Sequence, residues 1–226
     1  GIPSAAEAIA VSRDLILAEY TKAPIHIAHV STEMSVDLIR NAKKRGVNVT
    51  AETCPHYFAL TDEACDGFNT LAKVNPPLRT KKDVEAVIEG LRDGTIDIIS
   101  TDHAPHHPDE KNVEFNIAAS GMVGFETALP LAITYLVKPG ILTMEKLVEK
   151  MCVNPSKILG LNKGTIEVGM PADITIVDPD EEYTVNVNEF KSKSKNSPFD
   201  GFKLTGSVYY TIVDGKIIVR EKVLLV

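Results

Sequence analysis

IHIAHVSTEMSVDLIRNAKKRGVNVTAE, residues 25–52, decides the fold class. It opens on an apolar run of strand length at 25–30 and closes on another at 47–52. Between them, 33–45 carries an acid in its first turn and Lys43, Lys44 and Arg45 in its last, with Gly46 placed as a C-cap. Strand, helix and strand in so short a span form the unit of a parallel sheet.

Outward from this unit the pattern continues. On the N-terminal side, 4–20 reads as a helix, with Ser4 and Glu7 at capping-box spacing. On the C-terminal side, 53–79 holds Pro55, Pro76 and Pro77 with little period and reads as a long functional loop. Thr80 then caps a helix in which Val84, Val87, Ile88 and Leu91 keep helical spacing and which Gly94 closes; a strand follows at 96–100. Helices are expected at 122–137, 143–152 and 155–159, with Thr143 and Asn154 as N-caps. From 163 short β-branched runs take over, at 174–177, 183–187, 208–213 and 216–225, the last two flanking the hairpin signal Asp214-Gly215. The Lys/Ser-rich stretch 191–198 reads as a mobile loop. Three parallel strands cannot close an eight-stranded barrel, so the front of the chain is either a small open sheet or part of a barrel.

Composition narrows the function classes. Of 226 residues, 44% are hydrophobic and 24% charged, as in an ordinary globular protein. A net charge of -7 argues against a nucleic-acid binder, which would normally be basic. No apolar run approaches a membrane span, and no signal peptide opens the chain. Cys54, Cys65 and Cys152 are too scattered for a disulfide framework and read as reduced thiols of a cytoplasmic protein. All six histidines precede residue 108, so metal or acid–base chemistry is expected in the first half.

Three motifs follow predicted strands at their C-terminal ends, where α/β folds place chemistry. In His26-Ile27-Ala28-His29, residues three apart in a strand face opposite ways, so the two histidines cannot both face one site and both read as structural. In Glu52-Thr53-Cys54-Pro55-His56, the cysteine reads either as a thiol catalyst or, more simply, as inert packing. In Thr101-Asp102-His103-Ala104-Pro105-His106, one carboxylate and two histidines stand within five residues, a dense cluster of ligand and acid–base groups.

Together HIAHVS, TAETCPHY, KVNPPLR, TDHAPHHPDEK and MVGFETALPL, in this order, resemble the class I dihydroorotases of the amidohydrolase superfamily. The tail KGTIEVGMPADITIVDP is similar to the segment by which those enzymes return to their β domain, so the resemblance covers essentially the whole chain. It implies an α/β fold: residues 1–160 as part of a (β/α)8 barrel with about its sixth to eighth strands, and 161–226 as part of a C-terminal β-sandwich. It implies zinc at the barrel mouth, binuclear in the family, with His29 and Asp102 as ligands and Asp102 also as the catalytic base. It implies substrate binding by Asn75, His106, Ser120 and Gly121, His106 holding a free carboxylate. His26 falls on no ligand position, His103 and His107 read as loop scaffolding, His56 lies outside the ligand set, and Arg79 reads as a salt-bridging loop residue rather than a substrate contact. Ser100 departs mildly from the Gly or Ala usual there.

The implied activity is reversible closure of N-carbamoyl-L-aspartate to dihydroorotate in pyrimidine synthesis. A hydantoinase or allantoinase is the alternative within the same chemistry, although those relatives usually lack the HAPH continuation. A silent scaffold partner, for instance of aspartate transcarbamoylase, is the alternative outside it. The family's other zinc ligands would precede Gly1, so the ligand set is incomplete. The chain is therefore expected to be a C-terminal fragment, inactive alone, paired with an N-terminal part or with itself. Neither nucleic acid nor membrane is expected as a partner.

Overall fold

In the computed structural model, which describes residues 2–225, the parallel unit is present. Strand β1 (Ile25–Ile27) pairs in parallel with β2 (Val49–Thr53), and β2 with β3 (Ile98–Ile99), in the order β1-β2-β3. The helices that precede or join these strands are α1 (Ser4–Thr21), α2 (Glu33–Lys44) and α4 (Lys81–Asp93). Each turns one stripe inward: Ala8, Val11, Leu15 and Ala18 on α1; Val36, Ile39 and Ala42 on α2; Val87, Gly90 and Leu91 on α4. Each large aliphatic side chain in these stripes contributes roughly 1.5–3 kcal/mol by burial. Gly90 lets α4 pack closely, since a Cβ there would stand 3.1 Å from both Ile96 and Val36.

Several local expectations are corrected. The run at 25–30 is a strand only to Ile27, because the chain turns left-handed at His29 (φ 56°). Helix α1 has no capping box: Pro3 is its N-cap, and Glu7 is drawn into a tertiary bond network instead. The stretch 53–79 is not structureless, since Pro55 starts a short helix, α3 (Pro55–Ala59), with 3₁₀ turns at Asp62–Phe68 and Thr70–Ala72. After α5 (Pro108–Lys111), the predicted helix at 122–137 begins only with α6 (Ala128–Ala132), which runs on into a π-type turn at Ile133–Val137.

Contacts divide the chain into two compact units, residues Gly1–Ala128 with Asn186–Asp200, and Leu129–Val185 with Gly201–Val226. This division differs from the boundary at 160/161 that the resemblance implies. In the second unit α7 (Met144–Val148) and α8 (Asn154–Ile158) accompany an antiparallel sheet in the order β4-β5-β6-β7. Its strands are β4 (Ile174–Thr184), β5 (Lys203–Val213), β6 (Lys216–Arg220) and β7 (Val223–Leu224). Asp214 (φ 49°) and Gly215 (φ 76°) make the β5–β6 turn left-handed, as a two-residue hairpin demands. In the first unit, 191–198 is not a mobile loop, because Asn196 and Ser197 are buried and bonded.

The turn after β1 is pinned by Glu7. Its carboxylate accepts from the Ser31 and Thr32 amides at 3.0 and 3.1 Å and from both hydroxyls. Buried Arg79 stands beside it, donating to Ser31 Oγ (3.1 Å) and the Ile2 carbonyl (2.7 Å), with Nη2 3.6 Å from Glu7 Oε2. Glu7→Ala, which strands the guanidinium in the interior, should cost about 3–5 kcal/mol in urea unfolding, and Glu7→Gln less. A loss below about 1 kcal/mol for Glu7→Ala, no more than one ordinary hydrogen bond, would show that the turn is held by other means.

Candidate active site

Because the strands are parallel, their C-terminal ends share one edge, and the chain places polar side chains there. His29 follows β1, Glu52 and Cys54 end or follow β2, and Asp102 follows β3. His29 and Asp102 both have left-handed backbones (φ 56° and 46°), a conformation that costs roughly 1–3 kcal/mol in a non-glycine residue and clusters at functional sites.

Glu52 organises this edge. His26 Nε2 lies 3.2 Å from Glu52 Oε2, His29 Nδ1 lies 3.2 Å from Oε1, and His26 Nδ1 lies 2.8 Å from Thr50 Oγ1. The expectation that His26 and His29 must face apart is therefore corrected: His29 has left the strand, and both rings meet one carboxylate. Burial works against the charged form of Glu52, but hydrogen bonds from His26, His29 and Ser100 outweigh it and hold the carboxyl at about 2. The Glu52 hydrogen bond raises the His29 pKa against the opposing effect of burial, and nearby Asp102 adds to the rise. Asp102 is itself raised, first by burial and also by Glu52, with His29 pulling the other way.

With Nδ1 engaged by Glu52, His29 turns Nε2 toward Asp102 Oδ1 at 3.8 Å. A carboxylate on one ring nitrogen and a free second nitrogen is how metal-binding histidines are oriented. Two donors each about 2.1 Å from one zinc ion can stand no more than about 4.2 Å apart, so this pair fits a shared ion. Cys54 joins the group, the ligand atoms of His29, Cys54 and Asp102 all lying within 4.8 Å of one another. Its thiol is a poor ligand as it stands, because burial pushes its pKa up, away from the thiolate. His56 is fully buried and held neutral, its pKa pushed down to about 3 by burial.

A second group forms in the loops. His106 Nε2 lies 3.0 Å from the Ser120 carbonyl, and its Nδ1 3.4 Å from Glu110. At Gly121 (φ 137°) a Cβ would stand 2.5 Å from Ala104 Cβ and 3.0 Å from His106 Nε2, so only glycine fits. Asn75 and Ser120 line one cavity of about 220 Å³ together with Lys73 and Phe115. Lys73 donates to the carbonyls of Phe115 and Ala118, and buried Lys111 to those of Ala119 and Gly121. His103 stacks on Phe125 at 3.7 Å, and His107 caps α5; both build the loop. The sequence points to His29, Asp102, Asn75, His106, Ser120 and Gly121 but not to Glu52, which meets both His26 and His29. The signal for Glu52 was a carboxylate at the end of a strand whose alternate residues are buried.

Comparison with known proteins follows this geometry. The Amidohydrolase family profile matches residues 11–218. The chain is 81% identical to the dihydroorotase of Acetivibrio thermocellus and 73% identical to that of Ruminiclostridium cellulolyticum, over the whole of its own length in both cases. It spans about half the length of these relatives, 53% of each. Among solved structures, an L-hydantoinase (dihydropyrimidinase) from Arthrobacter aurescens matches 99% of the chain with a TM-score of 0.93 at 34% identity, and 51% of that structure is covered. A dihydropyrimidinase from Brevibacillus agri matches 99% with a TM-score of 0.94 at 28% identity, again over half of its length.

The Glu52 pair makes stability depend on pH. Its folded pKa lies below the ordinary carboxylate value of about 4.3, so its contribution is complete above that pH and is lost as pH falls toward 2. In the metal-free protein, Glu52→Gln should cost on the order of 2 kcal/mol at pH 7 and little near pH 2.5 by urea unfolding. A cost that stays constant across this range would contradict the ion-pair assignment.

Proposed function

Because this chain belongs to the amidohydrolase family, we propose that it carries the acid–base and substrate-recognition part of a zinc-dependent dihydroorotase. The observation that carries this reading is the His29–Asp102 pair at 3.8 Å, oriented by Glu52 at the shared end of three parallel strands. It is supported by dihydroorotases of 57–81% identity along nearly the whole chain. On this reading residues 1–160 are part of a (β/α)8 barrel and 161–226 part of a β-sandwich. The protein works in the cytoplasm, and the remaining zinc ligands come from the length of the relatives that this chain does not span. No helix among the described residues is long and apolar enough to cross a membrane.

His29 through Nε2 and Asp102 through its carboxylate would hold zinc, which when bound lowers the pKa of water from about 16 to about 7 and polarises a carbonyl. Asp102 accepts a proton from the attacking water at its other carboxylate oxygen, Oδ2, and returns it to the departing ring nitrogen. His106 receives the substrate's free carboxylate, Asn75 hydrogen-bonds the ring, and the bare backbone at Ser120-Gly121 lets the ring approach. The reverse reaction uses the same groups to close N-carbamoyl-L-aspartate. A hydantoinase-type substrate is the second reading, favoured by the structural neighbours alone.

In the enzyme that carries this chain, Asp102→Asn should lower kcat about 10²–10⁴-fold, the usual worth of a general base. His106→Ala should raise KM for dihydroorotate about tenfold, equivalent to ~1.4 kcal/mol, and leave hydantoin turnover far less affected. Equal losses on both substrates would favour the hydantoinase reading. The 226-residue chain alone, supplied with zinc, should turn over no dihydroorotate in a spectrophotometric assay. Full activity from it would overturn the shared-site reading.

A further inference from the structure

We propose that Asn196, on the segment Asn186–Asp200, is a positioning residue that sets the geometry of the His106–Ser120–Gly121 recognition cluster. This rests on the substrate reading of that cluster. The segment returns to the first unit from far along the sequence, and its composition alone would make it a solvated loop. Asn196 is instead 5% exposed, and its amide is used on both sides. Nδ2 donates to the carbonyls of Ala104 (3.0 Å) and Gly121 (3.1 Å), while Oδ1 accepts from the His106 amide at 3.2 Å. The Asn196 carbonyl accepts from the Val123 amide at 3.0 Å, and the Ser194 hydroxyl lies 2.5 Å from both the His106 carbonyl and Asn196 Oδ1.

One side chain thus ties 104–106, which carries His106, to 121–123, which begins at Gly121. These two stretches otherwise meet through the His103–Met122 bridge and the bond from the Ala104 amide to the Met122 carbonyl. The Gly121 carbonyl receives Lys111 Nζ at 3.0 Å as well as Asn196, and its amide donates to the Lys73 carbonyl at 2.8 Å. The Gly121 peptide is therefore fixed from both ends, and the His106 ring is set against it. An amide has two donors and one two-pair acceptor, so asparagine meets this set and aspartate, lacking donors, does not. The segment also has anchors that do not pass through Asn196. Ser192 donates to Glu126 from its amide (2.7 Å) and its hydroxyl (3.0 Å), and Phe199 is 1% exposed. Removing the Asn196 amide therefore leaves the segment docked.

The test compares Asn196→Ala, His106→Ala and the double variant in the intact enzyme, reading KM and kcat for dihydroorotate together with the thermal midpoint. Asn196→Ala is expected to raise KM about tenfold, a loss of ~1.4 kcal/mol, while kcat stays within about threefold. The double variant should fall at least about threefold short of the product of the two single effects, because both act on one cluster. Should Asn196→Ala fail to fold, Ser194→Ala carries the same test with a rise of about threefold and the same shortfall against His106→Ala. A KM within about twofold of the native value, with His106→Ala still raising it, would overturn the inference, as would fully multiplicative effects. An unchanged KM in His106→Ala would overturn the substrate reading beneath it.

Discussion

Parallel pairing is the constraint on which the rest of the structure depends. Strands that run the same way must be joined by crossovers, and α2 and α4 supply them between β1, β2 and β3. Every strand therefore delivers its following residue to the same edge. That edge gathers His29, Glu52, Cys54 and Asp102 from stretches far apart in sequence. Partial withdrawal from water raises a carboxylate's pKa and favours its neutral form. The imidazoles of His26 and His29 prevent this at Glu52, and the ionised Glu52 then fixes the tilt of the His29 ring. The strained backbones at His29 and Asp102 are tolerated because the rest of the sheet and the Glu7–Ser31–Thr32 network determine where the chain must go.

The sequence makes legible what depends on local order. The strand–helix–strand reading of 25–52 needed only hydrophobic spacing and a glycine cap, and the hairpin at Asp214-Gly215 needed only its turn residues. The misreadings at Glu7 and at 191–198 share one physical cause, a side chain whose partner lies far away in sequence. Glu7 has the spacing of a capping box, but its carboxylate meets four donors on Ser31 and Thr32. The alternation rule set His26 and His29 apart because it assumes an unbroken strand, and φ at His29 breaks it. At 191–198 polarity was read as solvation. Ser194 and Asn196 are polar because they satisfy buried carbonyls and amides of the 104–123 loops, which no local pattern could disclose.

The two groups of the site are built differently. The His29–Glu52–Asp102 group sits at the ends of strands, where register leaves little freedom. The His106–Ser120–Gly121 group sits on loops, whose positions come from side chains that reach backbone carbonyls: Lys73, Lys111 and Asn196. Buried lysine is costly, and burial together with Lys73 pulls the Lys111 pKa down to about 8. Its hydrogen bonds to the carbonyls of Ala119 and Gly121 offset part of that cost.

This division bears on how far a fold resemblance reaches. The TM-score of 0.93 to an L-hydantoinase at 34% identity reports a shared backbone over 99% of the chain, and a shared fold does not by itself set the substrate. Discrimination between a ring that bears a carboxylate and one that does not must come from groups that touch that carboxylate. On the proposed reading those groups lie in the loop cluster, not on the strands. A site built to hydrogen-bond a polar substituent rejects the analogue lacking it strongly, because the site's own polar groups are then left unpaired. That penalty is large only where the groups cannot relax, so substrate choice depends on how rigidly His106 and the Gly121 peptide are held. The buried amide of Asn196 and the ammonium of Lys111 supply that rigidity, so on the proposed reading specificity would be a property of the loop fastenings more than of the parallel sheet.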